Sequence, residues 1–487
     1  MRLRRDRPLP PPRGRARGRS PAASRAGLTA LLLTCCVACT GGGAVASGAP
    51  AAAPGLGDRL LPGAGNGGYD VTHYGLDLSY DPTGGRLTGT AVLTATATEA
   101  MSAFDLDLSG LTVGSVRVDG RPATFRRDGT ELTVRPDRPL ARGARFETTV
   151  GYAGVPQLLT DPDGSHEGWF RTDDGALALG EPVGAMAWFP CNDHPSDKAA
   201  YDLTVSVPAG LTAVSNGELA GTATRGGRTA YHWRTTAPMA TYLATLGIGH
   251  YTVTRTSTPS GLPLYIAVDP RSDDPQTADA LRRLPEVLDW ESGLFGRYPF
   301  ASSGAIVDHL PKGVGGYALE TQNRPAFPGD AGAPAVRLDT LVHELSHQWF
   351  GDWATPASWS DIWLNEGFAT YAEWLWQEHE GGTTVAANAA AALAGTSDWA
   401  FPPAAPPTAA QLFAPPVYSR GALVLYELRR TMGDRAFLTL LRTWPAAHAG
   451  GNATTAEFTA FAQRLTPHDL RPLFATWLYG SAKPAHL

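Results

Sequence analysis

Beyond residue 39 this sequence has a single cysteine, Cys191; the other three, Cys35, Cys36 and Cys39, crowd the first 39 positions. An internal disulfide framework is therefore excluded from the body of the chain. No apolar run is long enough to span a membrane, since the stretch at 28–38 would rise only about 16 Å as a helix against a hydrocarbon core of about 30 Å. Charged residues are sparse at 18%, and neither heptads nor internal repeats are present, which excludes a coiled coil or a solenoid. What the chain does have is punctuation. Forty prolines and fifty-five glycines break it into short strands and turns more readily than into long helices. Its 487 residues exceed one ordinary core and suggest two or three domains.

The first 39 residues are a different polymer from the rest. Nine arginines and one acid precede the apolar stretch, which is the arrangement of an export signal. A basic tail that binds nucleic acid is the competing reading. Two processing routes are open: Cys36-Val37-Ala38-Cys39 is a loose lipoprotein box, with Cys36 where leucine is usual, and Ala44-Val45-Ala46 is a usable signal-peptidase site. Residues 1–46 are thus expected to be an export or lipoprotein signal, cut before Cys39 or near Ser47. The protein would then be extracellular, or attached to the envelope membrane through a lipidated Cys39. Losing this leader moves the net charge from −6 to about −14, so the body is not expected to bind nucleic acid. Residues 47–68, mostly Gly, Ala and Pro, are expected to be a flexible spacer.

From Tyr69 to about residue 255 apolar side chains alternate at period two, as in Leu76, Leu78, Tyr80 and in Phe104, Leu106, Leu108. This predicts an antiparallel β domain. After one more strand at 264–268 the period becomes helical, with Leu281, Leu284, Val287, Leu288 and Trp290 at three- and four-residue intervals. The strongest helix candidates are 336–350, 362–379, 420–432 and 455–465. The fold class is α+β, with a β domain at 69–255 followed by a mostly helical domain at 256–487.

The first two of those helices carry the chemistry. In His343-Glu344-Leu345-Ser346-His347 two imidazoles stand four residues apart, so on a helix both leave one face and can grip one ion. Glu344 lies about 100° around the helix from His343, placed to hold water as a general base without being a ligand. Two solvated histidines on an ordinary helix would show the same spacing. Glu366, after eighteen intervening residues, changes that balance, because Gly351-Asp352 can end the first helix and Asp361 can cap a returning one. Two imidazoles and one carboxylate form a three-ligand catalytic zinc set with a fourth position open, and hydrolysis favours the redox-inert ion. Glu373 falls two turns after Glu366 on the same face, where it could orient a ligand histidine. Trp349, Trp353, Trp359, Trp363, Trp374 and Trp376 read as packing around these helices.

The segments His343-Glu344-Leu345-Ser346-His347-Gln348-Trp349-Phe350-Gly351 and Trp363-Leu364-Asn365-Glu366-Gly367-Phe368-Ala369 resemble the paired motifs of gluzincin aminopeptidases of the aminopeptidase N type. Weaker similarity runs from about Tyr69 onward. The resemblance implies a saddle-like β domain, a thermolysin-like catalytic domain, one Zn2+ per chain, and peptide substrates with free N-termini. It implies that Glu181 and Glu320 anchor the substrate ammonium, which two carboxylates beside a metal would recognise by charge and hydrogen bonds. Tyr317 for Gly, Thr321 for Asn, Met186 for Arg and His194 for Glu depart from the family pattern but spare both anchors. Tyr418, in Val417-Tyr418-Ser419-Arg420-Gly421, resembles the family's transition-state tyrosine, a donor to the developing oxyanion; Tyr426 is the weaker candidate. Longer members add a further helical domain, and a site without it would be more open, with the Pro-rich stretch at 401–416 as a partial lid.

Rival readings keep part of this set. A zinc endopeptidase would not need Glu181 or Glu320. An epoxide-hydrolase-like relative would use a similar centre, and a surface binding protein would tolerate a degenerate one, against which the complete His343, Glu344, His347 and Glu366 argue. For export, mass analysis of the amino terminus should find the mature chain starting at a lipidated Cys39 or near Ser47. Cys39→Ser should release the protein from membranes under the first route only. A cytoplasmic chain starting at Met1 would contradict both.

Overall fold

The computed structural model describes residues 50–329 and 333–486; the signal expected at 1–46, with Cys39, lies outside them. Eight strands form the largest sheet, in the order Glu218–Arg225, Arg228–Ala240, Lys198–Pro208, Tyr69–Asp81, Arg86–Ala97, Arg145–Gly154, Thr112–Val118, Arg121–Pro122. Tyr74, Leu76, Leu78 and Tyr80 point into the core as the alternation requires, and a bulge between Val71 and His73 shifts the parity so that Tyr69 and Val71 are buried too. The sheet is not wholly antiparallel. Tyr69–Asp81 pairs parallel with Lys198–Pro208, Leu76 opposite Leu203, because the chain passes through a second sheet between them and only such a crossover permits a parallel pair. That second sheet has five strands, and its Ala176–Leu179 and Leu246–Gly249 are buried at every position.

The second part of the chain has its own four-stranded sheet, in the order Thr252–Ser257, Pro263–Val268, Ser303–His309, Ala326–Gly329. Its first strand, Thr252–Ser257, runs across the junction expected at 255/256. Eight helices follow among the described residues: α1 (Pro275–Phe295), α2 (Leu338–Ser346), α3 (Trp363–His379), α4 (Val385–Ala394), α5 (Gly421–Met432), α6 (Asp434–Ala447), α7 (Thr455–Arg464) and α8 (Arg471–Trp477). Local chemistry starts the clearest of them. Asp274 accepts from the Gln276 and Thr277 amides ahead of α1, and Thr454 with Glu457 forms a capping box on α7. Asp361 does not cap α3 as expected; it accepts from the amide and hydroxyl of Thr455 instead, at 2.9 and 2.7 Å, and so ties α3 to the start of α7.

Arg324 joins the β part to the mostly helical part. It is 1% exposed, donates to the carbonyls of Ser215, Gly217 and Tyr265, and lies 4.9 Å over the Trp233 ring. Planar guanidinium chemistry can serve several carbonyls and an aromatic face together.

The described part of the expected spacer, residues 50–68, is packed, which corrects that expectation. Ala51 bridges to Ala103 and Pro54 to Asn66, and the Asn66 amide donates to Asn192 at 2.6 Å. The anchor is Asp58, whose buried carboxylate accepts from the amides of Leu60, Leu61 and Trp359, with His194 Nε2 at 3.5 Å. Composition suggested a linker because His194 and Trp359, the partners that bury Asp58, stand far along the chain, Trp359 by 301 residues, where local patterning says nothing of them. Burial pushes the Asp58 carboxyl up, but His194 and the three amides outweigh it and hold it at about 2, below the ordinary 3.8. The ionised form is therefore favoured by folding, a contribution present above pH 4 and lost as pH falls through 2. Asp58→Ala should cost about 2 kcal/mol in urea unfolding at pH 7, and the gap between variant and parent should shrink towards pH 2.

Candidate functional site

The helix expected at 336–350 is α-helical only over α2, Leu338–Ser346, yet His347 keeps helical angles, φ −59° and ψ −24°. The i, i+4 relation therefore survives, and the His343 and His347 ring centroids are 4.8 Å apart. Beyond them the backbone tightens, with the Gln348 amide on Leu345 O and the Trp349 amide on Ser346 O. It then turns away at Gly351, whose φ of +133° is strained for other residues and where a Cβ would meet the Asn365 side chain at 3.0 Å. α3 returns beside α2, its Phe368 stacked on Phe350 at 4.2 Å and 9°.

This return brings Glu366 to the imidazoles. Glu366 Oε2 lies 3.1 Å from His343 Nε2 and 3.5 Å from His347 Nε2. The other ring nitrogens are occupied: His343 Nδ1 donates to Glu373 Oε1 at 2.6 Å, and His347 Nδ1 to the Phe350 carbonyl at 3.0 Å. Both Nε2 atoms are thereby turned to the same point, and with each Nδ1–H committed to a partner, loss of the Nε2 proton would leave the lone pair a metal ligand needs. One donor atom from each of His343, His347 and Glu366 lies within 4.8 Å of the others. Two imidazoles with one carboxylate match zinc well. A second group, Glu320, Glu344 and His347, meets the same distance limit, but it shares His347 and offers only one nitrogen, a poorer match.

A cavity of about 440 Å³ opens over these donors. Glu181, Glu320, Glu344, Glu373 and Tyr418 all line it together with the donor set, so the structure brings together every site residue expected from the sequence. Tyr426 is not among the lining residues; its ring lies under Arg430 at 5.7 Å. None of the six tryptophans near the motifs lines it either, and Trp349, for one, is buried with its indole nitrogen on Gly296 O. Glu320 is held by a built turn: Gln348 Nε2 donates to its carbonyl at 3.1 Å, and Thr321 closes the turn by donating to Arg324 O at 2.6 Å. The Tyr317 hydroxyl donates to the Glu181 carbonyl at 2.7 Å, joining the two acid-bearing segments. His194 and Met186 line no part of the cavity.

The charges explain one another. Burial pushes Glu344 up to about 8, helped by Glu320 and Glu366 and opposed by the two imidazoles. Glu181 is raised by burial and then by Glu320 and Glu366, and Glu320 by burial and Glu366 against the opposing pull of His347. Glu366 is the exception: burial pushes it up, but His347 and His343 outweigh that and hold it at about 2. Burial lowers His347, yet Glu320 and Glu366 lift it to about 9. Oε1 of Glu181 and Oε1 of Glu320 are buried without a hydrogen-bond partner. Buried acceptors of this kind await a donor. Tyr418 is pushed well up by burial and by the surrounding carboxylates, so its hydroxyl keeps its proton.

Sequence reasoning missed part of the wall. Asp163 and Ser165 come from the hairpin between Leu158–Thr160 and His166–Arg171, whose only signal is a turn. Asp339 and Thr340 line the cavity from the first turn of α2, and their spacing of four and three before His343 would have shown it. Phe413 arrives from the Pro-rich stretch expected to act as a lid.

Residues 335–477 match the model of the peptidase family M1 domain, and residues 70–243 that of the peptidase M1 N-terminal domain. A probable aminopeptidase 2 of Sulfurisphaera tokodaii is 25% identical over 78% of this chain and 50% of its own length. Human endoplasmic reticulum aminopeptidase 1 is 26% identical over 70% of this chain and 38% of its own; the chain thus spans half or less of these relatives. The solved M1 zinc metallopeptidase of Deinococcus radiodurans is 30% identical, with a TM-score of 0.79, covering 89% of this chain and 98% of that one. With both domain models matched in order and a two-part structure aligned almost end to end, the chain belongs to peptidase family M1.

Proposed function

We propose that this protein is a zinc-dependent aminopeptidase that hydrolyses the first peptide bond of peptides bearing a free amino terminus. The observation that carries the reading is the pair of buried, unpartnered carboxylate oxygens of Glu181 and Glu320 in the cavity that also holds the His343, His347 and Glu366 donors. An ammonium group supplies both the charge and the hydrogen bonds they lack. Two anchors beside the reacting centre also measure one residue from the end, which an endopeptidase has no use for. A mutant form of the Deinococcus radiodurans enzyme has been solved with a Tyr-Ser-Ala substrate, which supports a peptide here. The chain is exported, free or held to the envelope by a lipidated Cys39, on the strength of its arginine-rich and apolar leader.

Zinc bound by His343, His347 and Glu366 would supply Lewis acidity, polarising the scissile carbonyl and favouring ionisation of water. Glu344 takes the water proton and returns it to the leaving amine, from its place in the cavity beside the donor set. Tyr418 donates its hydroxyl to the oxygen that gains charge. Glu373 keeps the His343 ring turned to the donor point by the 2.6 Å bond to Nδ1.

Metal analysis of the purified protein should find one zinc per chain. His343→Ala should lose metal and activity together, whereas Glu344→Gln should keep zinc and lose hydrolysis by about 10² to 10⁴. A peptide cleaved readily in free form should become nearly inert when its amino end is acetylated, and Glu320→Gln should weaken recognition of the free peptide without changing zinc content. Equal cleavage of free and acetylated peptides at internal bonds would leave a zinc endopeptidase in place of this reading.

A further inference from the structure

Arg420 stands two residues beyond Tyr418, at the end of the π-helical turn Pro416–Arg420 that leads into α5. It is fully buried, and among the described residues no carboxylate pairs with it. Carbonyls surround its guanidinium instead. Nε donates to Trp477 O at 3.1 Å, Nη1 to Phe401 O at 3.0 Å, and Nη2 to Gly480 O, with Thr476 O at 3.5 Å. The plane lies 4.3 Å over the Trp399 ring. Thr476 and Trp477 are in the last turn of α8, whose carbonyls have no acceptor role left inside that helix. One side chain therefore ties three segments together: the turn of Tyr418, the start of the Pro-rich stretch, and the end of α8.

The opposite side of the same turn is fixed by backbone. A Cβ on Gly421 would lie 2.9 Å from Gly367 Cα, so α5 and α3 touch main chain to main chain one residue from both Arg420 and Glu366. Between these two clamps the Tyr418 hydroxyl makes no hydrogen bond to the protein among the described residues. Its ring faces His343 at 6.2 Å. The direction of the hydroxyl is thus set by the backbone of the turn, not by a partner of its own.

We propose that Arg420 is a positioning residue for Tyr418, aiming the hydroxyl into the cavity by clamping its turn to Phe401 and to the end of α8. The inference rests on the reading of Tyr418 as the donor to the developing oxyanion. An arginine presents its donors in a rigid planar fork that also stacks on an aromatic face, whereas a lysine presents one compact point charge, so Arg420→Lys keeps the charge while losing the fork that reaches Phe401, Trp477 and Gly480 together.

The experiment is a double-mutant cycle on a free aminoacyl substrate, with kcat, KM, zinc content and thermal unfolding measured for Arg420→Lys, Tyr418→Phe and the double variant. Arg420→Lys should fold, hold its zinc, change KM little, and lower kcat about tenfold. Tyr418→Phe should lower kcat by about 10² to 10³, and adding Arg420→Lys to it should cost no more than about twofold further, since the group being aimed is gone. A folded Arg420→Lys with unchanged kcat overturns the proposal, and so do losses that simply multiply in the double variant. An unchanged kcat in Tyr418→Phe removes the reading of Tyr418 itself, a distinct failure. Should Arg420→Lys not fold, Trp399→Leu takes its place in the cycle; it removes the face under the guanidinium, and the same non-multiplying loss of kcat is expected, a multiplying one overturning the proposal.

Discussion

Glu181, Glu320, Glu344 and Glu366 are each less than a tenth exposed, and neither lysine nor arginine lines the cavity they share. So many carboxylates repel one another in a poorly solvated space, and the arrangement persists only because cations join it or protons neutralise it. The imidazoles of His343 and His347 offset part of the charge. A divalent ion at the donor set and an ammonium at Glu181 and Glu320 would offset the remainder. Metal and ammonium would thus be two answers to one electrostatic demand, and the surrounding fold holds the acids in place against their repulsion.

Rigid contacts meet that need on every side. The face-to-face stack of Phe350 on Phe368 sets α2 against α3, and the approach of Gly367 to Gly421 sets α3 against α5. Glu320 is fixed through its own backbone by Gln348, whose Oε1 in turn accepts from the Asn323 amide at 2.8 Å and from the Tyr298 hydroxyl at 3.2 Å. Asn323 itself adopts a positive φ of 71°, a conformation asparagine tolerates better than most residues. Interiors packed in this way move in discrete steps, which suits a site where a displacement of about 1 Å can cost about 10²-fold in rate.

The β part contributes chemistry as well as support. Glu181 comes from it, and so do Asp163 and Ser165, while the Tyr317 hydroxyl on the Glu181 carbonyl and Arg324 across Ser215, Gly217 and Tyr265 link it to the catalytic part. Tyr317 departs from the family's glycine, and the bond it makes explains how the change is accommodated next to Glu181. Thr321, another departure, uses its hydroxyl to close the turn that carries Glu320. Neither substitution removes an acid from the cavity.

By itself the sequence made legible the class of fold and the pairing of His343 with His347, because these depend on short-range periodicity: a helix places residues 343 and 347 on one face, and a strand alternates its sides; the spacing of the two motifs then pointed to Glu366 as the third donor that the structure brings beside them. Motif resemblance added Glu181, Glu320 and Tyr418, which no local pattern distinguishes from ordinary surface acids or a packed tyrosine. Only the tertiary structure decided what long-range contacts control. It packed residues 50–68 through Asp58, made Tyr69–Asp81 a parallel neighbour of Lys198–Pro208, gave Asp361 to Thr455, brought the Asp163 hairpin to the cavity wall, and set Arg420 among the carbonyls of Phe401, Trp477 and Gly480. Each of these joins segments far apart in the chain. The partners of a buried charge are chosen by which elements come to lie beside it, and that choice leaves no period in the sequence.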